Sequence, residues 1–226
     1  MPPSDPDAAH GRSGAGVVGA QGVAIAADDL LVREGTLEGA IQWGEAEGDD
    51  PLLLHAITLL LAPLRVGAEV VADPKLTLHS LRLPVSSWAQ LEEQSYELGN
   101  VVREITADGG EYPVHDAYGS LKLGDAYHDV APTRLRFGAR DGCVQALHLA
   151  GWLRPTDTPP SFAPVDFAID AAVEIGAVLV VGDSGGDDYP SPGEAAQLAA
   201  RLLDLDAYAP AAVDDGCTVL RPRCSP

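Results

Sequence analysis

Lysine is almost missing from this chain. Of its fourteen basic residues two are lysines, Lys75 and Lys122, and the rest are arginines. Against them stand 34 acidic residues, a formal charge of −20 at neutral pH. A field of that sign repels phosphate backbones and anionic membranes and attracts cations and basic partners, so nucleic acid and membrane are not expected as partners. Few lysines and an excess of Asp over Glu also fit a GC-rich genome or a proteome adapted to salt, with solubility as the only consequence.

Cysteine is equally sparse. Cys143, Cys217 and Cys224 are an odd number with no Cys-x-x-Cys spacing, which suggests neither a secreted disulfide framework nor a zinc site. Cys224 lies in a Pro-rich tail and reads as a free thiol. A signal peptide is also missing: Met1–Ala20 has no basic start followed by an apolar core, and reads as a disordered leader over 1–20. The longest apolar run, PLLLHAITLLLAPL from Pro51 to Leu64, is shorter than the roughly 20 residues that a membrane helix requires. Without an export or membrane signal the cytoplasm is the expected compartment.

What is present suggests an α+β fold. Asp49-Asp50-Pro51 offers an acidic cap with proline in the first turn, so the apolar run behind it predicts a helix over about 51–63. Ser87-Trp88-Ala89-Gln90 fits a capping box and predicts a short helix over about 88–94. Ser191-Pro192-Gly193-Glu194 fits one better, and Ala195, Leu198, Ala199, Leu202 and Leu203 form a stripe behind it, predicting a helix over about 192–204. Strand signals lie at Gly39–Trp43, Lys75–Leu83, Val165–Asp170, Val178–Val181 and Cys217–Leu220. Asp141-Gly142 between Thr133–Phe137 and Cys143–Leu149 predicts a hairpin. The expectation is a largely antiparallel sheet with two main helices and one short one. It forms a single domain over 21–226, and the Pro-rich segment 155–164 is the candidate internal boundary.

Motifs that carry chemistry are incomplete. Gly182-Asp183-Ser184-Gly185-Gly186 resembles the nucleophile loop of chymotrypsin-like serine proteases. That family places a histidine base in an Ala-Ala-His-Cys-like segment upstream, and this chain has none. The same string resembles the signature of GDSL-type esterases, which supply an Asp-x-x-His later; no histidine follows Ser184. No lysine follows Gly186 to complete a phosphate loop. Asp183, Asp187 and Asp188 are candidates for a hard-cation site, though their spacing is not that of an EF-hand.

The segment Tyr112–Asp129 concentrates two of the six histidines and three of the six tyrosines. Its His115, Asp116, His128 and Asp129 are candidates for a metal-assisted or acid–base site. Tyr112, Tyr118 and Tyr127 are candidate interface anchors. No cofactor is implied. The first functional expectation is an acidic intracellular binding protein, inhibitor- or immunity-like, that engages a basic protein. The alternatives are an enzyme built on the 112–129 loops, and an accessory protein of a bacterial gene cluster without catalysis.

Overall fold

Two-residue alternation governs the molecule. The computed structural model describes residues 25–42, 50–105, 111–115, 117–181 and 190–224, with backbone alone for 101–105 and 111–115. Its strands are β1 (Val32–Gln42), β2 (Leu52–Leu61), β3 (Leu64–Val66), β4 (Glu69–Val71), β5 (Lys75–Leu81), β6 (Ser95–Glu97) and β7 (Val101–Ile105). They continue as β8 (Glu111–His115), β9 (Tyr118–Leu123), β10 (Ala126–Asp141), β11 (Val144–Arg154), β12 (Val165–Val180), β13 (Ala212–Asp214) and β14 (Cys217–Leu220).

Seven of these close a barrel in the order β1-β2-β5-β9-β10-β11-β12 and back to β1. Neighbours run antiparallel except at the seam, where β1 and β12 are parallel, with Thr36 opposite Glu174 and Ile41 opposite Val180. β6 joins β10 beyond the end of β9, and β14 with β13 extends the sheet from the last residues of β12. β3–β4 and β7–β8 are separate hairpins.

The interior is packed with side chains, as expected for a barrel of this size. Leu37, Ile57, Leu76, Leu121, Leu135, Phe137, Leu149 and Val173 are completely buried. The hairpin expected at Asp141-Gly142 forms, but Asp141 stays in the ladder opposite Val144 and the turn residues are Gly142, at φ 58°, and Cys143; a second hairpin turns on Asp215-Gly216, at φ 48° and 80°.

Strands make up 57% of the structure, and the α+β expectation is overturned. The predicted helix over 51–63 is strand β2. His55, Ile57, Leu59 and Leu61 point inward, while Leu54, Ala56, Thr58 and Leu60 point outward. Both faces are apolar, so the run carries no period to read. Leucine's helix preference is a few tenths of a kcal/mol per residue, and ladders to β1 on one side and β5 on the other outweigh it.

The predicted helix over 88–94 is a single 3-10 turn, Trp88–Leu91. Ser87 provides no cap there; the Ser86 N–H instead donates to Gln90 Oε1 at 2.8 Å. The only α-helix among the described residues, α1 (Pro192–Ala199), has the expected capping box of Ser191 and Glu194 but is shorter than 192–204. Its end tightens into turns, Arg201 N–H donating to Leu198 O and Leu202 N–H to Ala199 O.

Cys143 and Cys224 form a disulfide with Cα atoms 5.1 Å apart, which corrects the expectation of a free Cys224; Cys217 stays free. The reason is spatial. The Ile175 N–H of β12 donates to Cys143 O, and β14 pairs with the same strand at Val178–Val180 before running on toward Cys224. Sequence spacing carries no trace of that meeting. No helix among the described residues is long and apolar enough to cross a membrane.

Candidate functional site

Register sorts the outward side chains into rows that cross the barrel wall. One row runs Glu174, Thr36, Thr58, Thr77, Ser120, Asp129 through β12, β1, β2, β5, β9 and β10. On one side of it lie Glu38 beside Ala56 and His79 beside Tyr118. On the other lie Leu60, Lys75, Lys122 and Tyr127.

A groove of about 750 Å³ opens over the seam on the Glu38 side. Small residues Ala40, Ala56, Gly176 and Ala177 line it, with Leu54, Leu179 and Val219 as apolar contacts. A Cβ on Gly176 would stand 2.8 Å from Glu38 Cγ, so a larger residue there would push the Glu38 side chain aside. One rim carries His79, Ser80 and Tyr118; the other carries Asp214 and Arg221, which pair with each other. Glu38 and Glu174 lie between the rims and make no ion pair among the described residues.

A bulge shapes the His79 rim. His55 faces Leu81 and Ile57 faces Leu78, so β5 carries one residue more than β2 over this interval. Ser80 absorbs it at φ 54°, a left-handed conformation that non-glycine residues seldom adopt and that concentrates at functional positions. The bulge turns both His79 and Ser80 toward the groove. The His79 ring lies 5.4 Å from that of Tyr118, and its Nε2 is 3.2 Å from Ser120 Oγ. Burial, and after it the Lys75 ammonium, holds His79 below the ordinary imidazole range.

His55 supports the groove from beneath. Its Nδ1 donates to Leu81 O at 3.2 Å and its ring meets Trp88 edge-on at 5.3 Å. Burial pushes it down to about 4, so it stays neutral at physiological pH.

The residues singled out in the sequence are dispersed. His128 points into the barrel, 1% exposed, against Phe162, and its Nδ1 accepts from the Thr156 N–H. Asp129, next in sequence, points outward. Tyr118 stands on the groove rim, while Tyr127 is exposed one row beyond, with the Lys122 ammonium 5.7 Å from its ring centre. The backbone of Tyr112 and His115 lies in β8, opposite Glu104 and Val101. Asp116, Asp183, Asp187 and Asp188 lie outside the described residues. Among the described residues no three His, Cys, Asp or Glu side chains are placed to hold a metal ion.

Glu38, His79, Glu174, Asp214 and Arg221 come from five strands or strand ends and have no common motif. Only the register of the closed barrel assembles them. Compared with protein-family models, curated proteins and solved structures, the chain matches none.

Proposed function

We infer that the protein is a binding protein whose seam groove takes a cationic segment of a basic partner protein, in the manner of an inhibitor. The observation that supports this reading most directly is the charge of the groove. Three carboxylates line it, Glu38, Glu174 and Asp214, against one guanidinium that Asp214 already engages. An arginine or lysine side chain fits that chemistry: its stem covers the small apolar floor, and its head reaches Glu38 and Glu174. The net charge of −20 draws such a partner in from a distance and accelerates its encounter.

Calorimetric titration with a hexa-arginine peptide tests the reading. Binding is expected to saturate, to weaken steeply with added salt, and to weaken by at least about fivefold in Glu38→Gln/Glu174→Gln. The control Asp157→Asn/Asp166→Asn removes the same charge outside the groove and is expected to leave the affinity nearly unchanged. Equal losses in the two double variants mean that the peptide reads bulk charge and not the groove, and the proposal fails.

A further inference from the structure

The chain's only two lysines are direct cross-strand neighbours. Lys75 of β5 pairs with Lys122 of β9, both on the outer wall. Like charges placed directly opposite one another destabilise a sheet. Neither lysine makes an ion pair among the described residues, in a chain with 34 carboxylate side chains. Their next-row neighbours on the same face are Thr77 and Ser120, again directly paired. Two lysines thus stand one row from two hydroxyl residues, of which Thr77 is 9% exposed, with the Lys122 ammonium over the exposed Tyr127 ring and Asp129 standing beyond Ser120 toward β10.

The geometry points to an oxyanion-binding site on the β5–β9 face, in which Lys75 and Lys122 neutralise a phosphate monoester group that accepts hydrogen bonds from Thr77 and Ser120. A phosphate monoester carries close to two charges and three strong acceptor oxygens, matching two cations and two hydroxyl donors. A carboxylate, with one charge and two oxygens, leaves half of that set unused. Lysine suits the task because its ammonium acts as a compact, freely oriented point charge toward phosphate. In the Nε2–H tautomer of His79, whose Nε2 is 3.2 Å from Ser120 Oγ, the Ser120 hydroxyl hydrogen remains free for the ligand. The site lies outside the groove and stands independently of the reading proposed for it.

The test compares thermal unfolding in inorganic phosphate with unfolding in sodium chloride at matched ionic strength. Wild type is expected to show a saturable rise in Tm of at least about 2 °C in phosphate. Lys75→Gln/Lys122→Gln is expected to lose that rise, to melt no lower than wild type in chloride because a like-charge pair is gone, and to bind hexa-arginine as wild type does. Amide shifts at Lys75, Ser120 and Lys122 should saturate over the same phosphate range. An equal phosphate response in the double variant, no saturable response in wild type, or a lower chloride Tm in the double variant each overturns the proposal. Glycerol phosphate and a phosphoserine peptide then separate the two sources of the group. Stronger stabilisation by the former assigns the site to a small-molecule ester, and by the latter to a phosphorylated protein.

Discussion

His55 is neutral because its ring is buried in the barrel wall, an effect that its bond to the Leu81 carbonyl offsets only in part. Its pKa is about 4 in the folded chain, against about 6.5 when unfolded. The folded value is the lower one, so the unfolded chain takes up the proton first on acidification. The stability tied to this histidine is complete above pH 6.5 and is lost as the pH falls through about 4, a change on the order of 3 kcal/mol. Urea titrations between pH 7 and pH 4 should show this slope in wild type and a flatter one in His55→Leu. His128 illustrates why neighbouring residues in sequence need not share a site. It and Asp129 look like an acid–base pair when read along the chain, yet a strand sends consecutive side chains to opposite faces.

At the scale of elements, close approach between strands sets the tightest constraint. A Cβ on Gly151 of β11 would collide with the Ala131 carbonyl and stand 2.9 Å from Pro132 Cα and 3.1 Å from Phe167 Cε1. Backbone cannot retreat as a flexible side chain can. Gly151→Ala should therefore destabilise the protein by about 1–3 kcal/mol, measurable as a lower urea midpoint with an unchanged slope. The local signals that survive in the fold are those with short-range causes: the Ser191–Glu194 capping box and the positive-φ hairpin turns at Gly142 and Asp215-Gly216. β2 was not legible, because a strand apolar on both faces looks like a buried helix until its partners are known. The groove was not legible at all. Glu38 and His79 are unremarkable in sequence, and only the β5 bulge and the β1–β2 register bring them to one surface.

For the molecule as a whole, the Cys143–Cys224 bond ties the C-terminal segment to the β10–β11 turn across 81 residues. Disulfides of this kind persist in oxidising surroundings. Alkylation of the denatured, unreduced protein should modify Cys217 alone. Cys143→Ser/Cys224→Ser should cost about 2–4 kcal/mol, seen as a lower calorimetric Tm, whereas Cys217→Ser, which breaks no bond, should melt close to wild type.

The parallel seam has a further effect, on the order of events during synthesis. Thr36 finds Glu174 only after every intervening barrel strand has been made, and β1 leaves the ribosome long before β12 exists. Until then β1 presents an unpaired edge, and the long-range closure makes for slow folding. The groove lies across this joint and takes lining residues from both strands. A nascent or truncated chain therefore has no groove, and a partner that recognises it engages only molecules whose barrel has closed.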